Sequence, residues 1–302
     1  GIPLLFGIFA IVPLQAYLGH LSHPGRHMSL WAFYLDHLAV IGSFLFRAQI
    51  PSGNDVFSHL WFIPLLLLFS IITLPAFAWL RAHQQRPAVR RLALFLERRI
   101  ALLALGLILG LVIFFLTIAQ AVVPALPNLS PLVLFFAYLF FYCFGYLLYA
   151  LPGLTKVVVR AAPLALGVGV VLWVALRVAI TAQAIPSPTA TWHYLLYCLA
   201  QGVISWVWVI AIQGYGIRFL TFTSRLLRYL NKATYPVYVL HMAVLTALAL
   251  PIVRWDLPWP VKFVIILAGT FVVTLALYDG VIRRVALLRW LFGMKYQVTS
   301  ED

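Results

Sequence analysis

The stretch IALLALGLILGLVIFFLTIAQAVV, residues 100–123, carries no charged side chain over its whole length. An α-helix needs roughly 20 such residues to cross a hydrocarbon layer of about 30 Å. Other stretches of the same character recur along the chain, and we predict eight spanning segments, at residues 1–19, 58–80, 100–123, 131–151, 162–181, 191–217, 233–253 and 260–282. The sequence therefore predicts an all-α, polytopic membrane helix bundle.

The composition excludes several classes of protein. With 64% hydrophobic and 9% charged residues, the 302-residue chain lacks the polar surface that a water-soluble domain needs. Alternation with the period of a β-strand is absent, which excludes a membrane barrel. The two cysteines, Cys143 and Cys198, lie in apolar stretches without metal-site spacing. P-loop, HExxH and GxSxG motifs are absent, so we predict neither a metal nor a permanently bound cofactor.

The charge distribution predicts the orientation in the membrane. A net charge of +14 could indicate a nucleic-acid partner, but lysine and arginine also accumulate in the cytoplasmic loops of membrane proteins. Most of the 21 basic residues follow the second, fourth, sixth and eighth segments, which places them on one face. We therefore predict that this face and both ends of the chain are cytoplasmic, and we predict no nucleic-acid partner.

The chain shows no inserted soluble domain and no internal repeat, so residues 1–302 are predicted to form a single transmembrane domain. On the outer face the longest loop covers residues 20–57. Its stretch RHMSLWAFYLDHLAVIGSFLFR mixes apolar and polar residues at helical spacing, and could form an interfacial helix on the outer surface. Because the chain begins with Gly1 inside an apolar stretch, without the features of a signal peptide, we expect it to be the middle of a longer protein.

Polar and aromatic residues gather at the predicted outer ends of segments two, five and six. They are Asp55, His59, Trp61, Arg177, Trp192 and His193. Histidine transfers protons near neutral pH, and four-residue spacing could bring the Asp55 carboxylate to His59. Tryptophan offers a flat apolar surface to a sugar ring. The alternative is that the tryptophans are ordinary interfacial aromatics and the histidines are structural, whereas Arg177 should pair or face water.

At the predicted cytoplasmic side, SRLLRYLNKATYPVY (residues 224–238) brings Arg225, Arg228 and Lys232 to the start of segment seven. These cations could bind phosphate groups, or could anchor the helix at anionic lipids. His241 lies about 12 Å into this segment and must face other helices or a cavity. It could bridge two helices or take part in chemistry. Asp279 and Arg283 could form an ion pair across one helical turn.

Three stretches resemble, in this order, parts of the membrane-bound acyltransferase 3 family. SHLWFIPLLLLFSIITLP is similar to its His-Leu-Trp-Phe entry to a helix, FFAYLFFYCFGYLLY to an aromatic helix ending in Gly-Tyr, and LNKATYPVYVLHMAV to its late Tyr-Pro-x-Tyr-x-x-His helix. The opening stretch IPLLFGIFAIVPLQAYL is also similar to that family. A branch that includes glucan succinyltransferases is one candidate.

The resemblance implies an O-acyltransferase of the bacterial inner membrane. Such an enzyme moves an acyl group from cytoplasmic acyl-CoA, its co-substrate, to a hydroxyl of a polysaccharide or glycolipid acceptor. His59 and His241 would then be catalytic, and Arg225, Arg228 and Lys232 would bind acyl-CoA. The remaining outer residues would bind the acceptor, namely Asp55, Trp61, Arg177, Trp192 and His193.

Two other functions remain open. The catalytic histidine of the family generally lies on a first helix that this sequence does not include. The chain could therefore be a non-catalytic, acyltransferase-like subunit that contacts lipids and other membrane subunits in a larger complex. It could also transport a lipid-linked intermediate. A continuous polar path through the bilayer would favour that function.

Overall fold

The computed structural model describes residues 2–21, 28–47, 58–123, 128–184, 186 and 191–294. Every regular element in these ranges is helical. The α-helices are α1 (Ile2–Phe6), α2 (Val12–His20), α3 (Leu30–Arg47), α4 (Phe62–Ala82), α5 (Pro87–Leu96), α6 (Arg99–Ala104), α7 (Gly106–Val122), α8 (Ser130–Ala150), α9 (Pro152–Thr181), α10 (Thr191–Phe219), α11 (Arg225–Ile252), α12 (Trp259–Leu277) and α13 (Ala286–Leu291). Two π-helical segments and one 3₁₀ turn complete them, at Gly7–Ile11, Tyr278–Ile282 and Ser58–Trp61.

Within the described residues, eight helical stretches are long and apolar enough to cross a membrane. They are Ile2–His20, Ser58–Ala82, Arg99–Val122, Ser130–Ala150, Pro152–Thr181, Trp192–Phe219, Arg225–Ile252 and Trp259–Ile282. This confirms the prediction of an all-α, polytopic membrane protein with eight spans. The cytoplasmic position of both ends stays a prediction.

Two spans begin earlier than hydropathy predicted. Helix α9 begins at Pro152 instead of residue 162, and proline suits the first helical position because its fixed φ matches the helix. Helix α11 begins at Arg225 instead of residue 233, after Ser224, whose hydroxyl accepts a hydrogen bond from the Leu227 amide at 3.0 Å. Hydropathy marks only the apolar part of each helix, because basic residues lower it while remaining good helix formers.

Helix α3 lies within the predicted outer loop and runs beside the first span. Near its start, the Tyr17 hydroxyl donates to the carbonyl of Met28 at 3.4 Å and the Phe33 ring packs on Tyr17. Further along, Ile41 packs against Ile8 in the first span. The start of α3 thus contacts the end of the first span, and the later part of α3 contacts its beginning. The two helices are therefore antiparallel, which favours a helix that runs along the span. The interfacial position of α3 stays a prediction.

The contacts divide the chain into two compact units. The first contains Gly1–Leu68 and Thr223–Asp302. In it, α11 packs against α12 and α2. Its buried core contains Ile11, Val12, Leu60, Ala233, Val239, Ala243, Tyr278, Ile282 and Phe292.

The second unit is Phe69–Phe222, in which α10 packs against both α9 and α7. Trp206 lies at its centre, fully buried, and its indole N–H donates to the carbonyl of Leu102 at 2.7 Å. At the turn that separates α6 from α7, the Leu105 amide approaches the same carbonyl at 3.4 Å. The hydrogen bond satisfies a backbone group at a place where hydrocarbon offers no partner.

Glycines let α7 and α10 approach each other closely in this unit. A Cβ atom added to Gly202 would collide with the backbone nitrogen of Gly110 and lie 2.5 Å from the carbonyl oxygen of Gly106. Gly106 and Gly110 are four residues apart, the spacing of small residues at contacts between membrane helices. Backbone therefore meets backbone where these two helices cross.

Candidate functional site

His59 lies in the 3₁₀ turn Ser58–Trp61, directly before α4. The turn begins at Ser58, whose φ of +43° is in the left-handed region that residues with a Cβ seldom occupy. Such strain persists only where surrounding contacts hold it, and it is enriched at functional sites. The backbone of Ser58 therefore favours a functional role for this turn.

Three contacts hold His59 in the first unit. Its Nδ1 lies 2.8 Å from Oε1 of Gln15 on α2, and its Nε2 lies 3.1 Å from the carbonyl oxygen of Val239 on α11. The Tyr238 hydroxyl donates to the His59 carbonyl at 2.6 Å. Because a carbonyl can only accept, Nε2 carries a proton. In a neutral ring Nδ1 then accepts, and the Gln15 amide presents its NH₂ group to it, since the oxygen and nitrogen of an amide can exchange places in this assignment. Both ring nitrogens are thus engaged, and the ring is fixed between α2 and α11.

His241 packs directly on His59. The two ring centroids are 5.3 Å apart with an interplanar angle of 84°. Nδ1 of His241 lies 2.7 Å from the carbonyl oxygen of Tyr238 in its own helix, so Nδ1 carries the proton of the neutral ring. Among the described residues, the structure shows no hydrogen bond to Nε2. The lone pair of that nitrogen is therefore available to accept a proton.

The histidine pair lies inside a span. At 1.5 Å per residue, His241 is about 24 Å from the start of α11 and about 16 Å from its end. His59 meets α11 at the same level, through Val239. His59 is also the second residue of the span Ser58–Ala82, and its predicted position at the outer end of that span stays a prediction. The two predicted catalytic histidines are brought together, although their role stays a prediction.

Arg225, Arg228 and Lys232, the predicted acyl-CoA-binding residues, are all exposed and share one face of α11. Their positions, with Tyr229 between them, follow the i, i+3, i+4, i+7 spacing of a single helix face. The structure thus collects the three cations on one surface, which we call the inner basic face.

A carboxylate borders the inner basic face. The Tyr229 hydroxyl donates to Oδ2 of Asp279 at 2.6 Å, and Nη1 of Arg283 lies 2.8 Å from Oδ1. The predicted ion pair between Asp279 and Arg283 is confirmed. The hydrogen bond to Asp279 raises the pKa of the Arg283 guanidinium, which keeps this cation charged.

The predicted acceptor-binding residues of the second unit separate into two places. Trp192 contacts His193, with ring centroids 3.4 Å apart, and His193 lines a cavity of about 360 Å³ together with Tyr197. Most of its wall is apolar, from Leu172, Ala175, Leu176, Ala179, Leu196 and Ala200. Arg177 is exposed on α9 but does not belong to the face that lines this cavity.

The remaining predicted acceptor residues flank His59 in sequence. Trp61, two residues after His59, is 40% exposed and packs edge-on against Phe62. Asp55 lies outside the described residues, so its pairing with His59 stays a prediction. Within the part of the chain that the structure describes, no group of His, Cys, Asp or Glu is arranged to hold a metal ion.

A comparison with known protein families identifies the family of this chain. The family model of the acyltransferase domain matches residues 1–279. The chain belongs to the acyltransferase 3 family. Neither the curated proteins nor the solved structures gave a match. This acyltransferase 3 chain is thus a multi-pass membrane protein whose described polar residues include the histidine pair within its first unit.

Sequence reasoning missed the residues that hold the histidine pair in this acyltransferase 3 chain. Gln15 is a lone amide in the first apolar stretch, and that isolation was a signal that could have singled it out. Tyr238 belongs to the Tyr-Pro-x-Tyr stretch, but no sequence spacing indicates that its hydroxyl donates to the His59 carbonyl. The bond from Tyr229 to Asp279 joins residues 50 positions apart, and no sequence spacing indicates it.

Gln15→Leu is expected to lower acyl transfer about tenfold, because losing one hydrogen bond to His59 costs about 1–2 kcal/mol and about 1.4 kcal/mol corresponds to a factor of ten. The initial rate at saturating acyl-CoA measures this effect. Tyr17→Phe serves as the matched control, since the Tyr17 hydroxyl lies on the same helix but bonds to Met28. An equal loss in both variants would mean that Gln15 only stabilises the helix.

Proposed function

We propose that this protein is an O-acyltransferase of the bacterial inner membrane. It moves an acyl group from cytoplasmic acyl-CoA to a hydroxyl of a saccharide or glycolipid acceptor. The observation that supports this most is the His241 Nε2, a proton acceptor without a hydrogen-bond partner among the described residues, held beside His59 in a chain of the acyltransferase 3 family.

The proposed chemistry gives each histidine one task. The acceptor oxygen attacks the thioester carbonyl carbon while Nε2 of His241 takes the hydroxyl proton, a form of catalysis worth roughly 10²–10⁴ in rate. The C–S bond then breaks, CoA leaves as the thiolate, and the imidazolium returns its proton to the sulfur. His59 keeps the His241 ring in place by packing across it.

The donor is proposed to bind at the inner basic face. CoA carries several phosphate charges, and arginine pairs with phosphate through two parallel N–H donors. Arg225, Arg228 and Lys232 are exposed on one face and available for such contacts. Aromatic surfaces are proposed to receive the acceptor, where Trp61 is 40% and Trp192 is 62% exposed.

The first experiment follows the release of free CoA by the full-length protein in lipid nanodiscs. Acetyl-CoA and succinyl-CoA are the donors, with and without a saccharide and glycolipid extract of the native membranes. We expect thiol release above the protein-free rate with one of the two donors, increased by the extract. Arg228→Gln is expected to raise the KM for acyl-CoA about tenfold, since a charge-assisted contact contributes about 1.5–3 kcal/mol.

The same assay distinguishes catalysis from the alternative of a non-catalytic subunit. Binding of acyl-CoA without any thiol release, in the presence of the extract, would favour a subunit that only resembles the enzymes. Failure to bind acyl-CoA at all would contradict the proposed function.

A further inference from the structure

Asp279 lies within the π-helical segment Tyr278–Ile282 that ends the last span. In this segment the Arg283 amide bonds to the carbonyl of Tyr278 at 2.9 Å, five residues back. Such single π-turns add one residue to a helix, shift the side chains on it, and occur often at functional sites. The neighbouring Tyr278 side chain is buried, with 1% of its surface exposed. The turn thus keeps Tyr278 in the core while the Asp279 carboxylate stays at the surface.

The Asp279 carboxylate joins two helices at the edge of the inner basic face. One oxygen accepts the Tyr229 hydroxyl of α11 at 2.6 Å, and the other binds Nη1 of Arg283 at 2.8 Å. Tyr229 lies in the middle of the series formed by Arg225, Arg228 and Lys232. Through one carboxylate, therefore, a cation that follows the last span is connected to the helix that carries the other three.

We propose that Asp279 is a positioning residue for acyl-CoA. By holding Tyr229 and Arg283 together, it makes Arg283 part of the same phosphate-binding surface as the inner basic face. This inference rests on the proposed function and adds to it a second helix, a fourth cation and the residue that fixes them. Asp279 itself does not contact the anionic donor in this proposal, because its carboxylate would repel the phosphate groups of CoA.

The simplest alternative predicts a change of opposite sign. If Asp279 only neutralises part of a positive surface, removing its charge strengthens the attraction for an anion. If Asp279 positions Arg283 and the first turns of α11, removing its charge releases both and weakens binding. Asp279→Asn therefore separates the two explanations by the direction of the change in affinity.

The test measures the Kd of CoA for the full-length protein in nanodiscs by calorimetry. We expect Tyr229→Phe, which changes no charge, to weaken binding about fivefold and Asp279→Asn to weaken it about tenfold, corresponding to roughly 1 and 1.4 kcal/mol. Asp279→Glu, which keeps the charge, is expected to recover part of the loss. Tyr235→Phe is the matched control on the same helix and is expected to keep the wild-type Kd.

Each outcome decides the inference. Tighter binding by Asp279→Asn, or an unchanged Kd in both Asp279→Asn and Tyr229→Phe, would overturn the positioning role while leaving the proposed function intact. A wild-type protein that binds no CoA would overturn the proposed function, and this inference with it. Weaker binding in Tyr235→Phe equal to that in Tyr229→Phe would assign the loss to general damage of α11 and would also overturn the inference.

Discussion

Replacing His241 with alanine is expected to lower the rate of acyl transfer by about 100-fold to 10,000-fold, the range for removal of a positioned general base. The reason is the hydrogen bonding of the His241 ring. Nδ1 is committed to the Tyr238 carbonyl at 2.7 Å, which leaves the Nε2 lone pair to take the proton of the acceptor hydroxyl. The rate is measured with labelled acyl-CoA at saturating donor, with the Kd of CoA measured in parallel and expected to stay within about twofold of wild type.

His83→Ala is the matched control for this experiment. His83 also bonds through Nδ1 to a carbonyl of its own helix, that of Trp79 at 2.8 Å, but it lies at the end of α4 in the second unit. It is expected to keep at least half of the wild-type rate. Full activity of His241→Ala would show that His241 only fills space beside His59.

Gly202→Ile is expected to destabilise the second unit strongly. The new Cβ alone would collide with the Gly110 nitrogen, and because the obstruction is backbone on a packed helix, α7 and α10 must separate. Overpacking of this kind costs about 1–3 kcal/mol and more where the backbone cannot move. We expect the thermal midpoint of the monodisperse protein, followed by fluorescence-detected size exclusion, to fall by at least about 10 °C.

The same helix provides the control for this prediction. A Cβ atom at Gly216 would meet nothing within 4 Å, so Gly216→Ile is expected to shift the midpoint by only about 2 °C. Gly202→Ala gives a measurable intermediate if the isoleucine variant does not fold. Equal midpoints for Gly202→Ala and wild type would contradict the close backbone approach.

The fold class could be predicted from the sequence because hydrocarbon imposes length and composition on every span. Helix limits could not be predicted as well, because α11 continues through Arg225 and Lys232, where hydropathy is low but helix propensity is high. The turn at Leu105 was also missed, as was the hydrogen bond beside it from the distant indole of Trp206 to the Leu102 carbonyl. The residues next to Leu102 in the sequence do not indicate its contact with Trp206.

The candidate site was predicted in part. His59 and His241 were singled out as polar residues in apolar segments, and they prove to be in contact. The difference in hydrogen bonding between the two rings could not be predicted, because the partners of their nitrogens are Gln15 on α2 and Tyr238 and Val239 on α11. Arg225, Arg228 and Lys232 were recognised by charge, whereas the link from Tyr229 to Asp279 required the packing of α11 against α12.

The most direct test is the transfer of a labelled acyl group by the full-length protein in sealed membrane vesicles of known orientation. Labelled acyl-CoA is supplied on one side at a time, and alkali-labile ester is measured in the saccharide and glycolipid fraction. We predict labelled ester only when acyl-CoA is on the side that carries Arg225, Arg228 and Lys232. Absence of labelled ester in both orientations, from protein that is folded and embedded, would contradict acyl transfer by this chain.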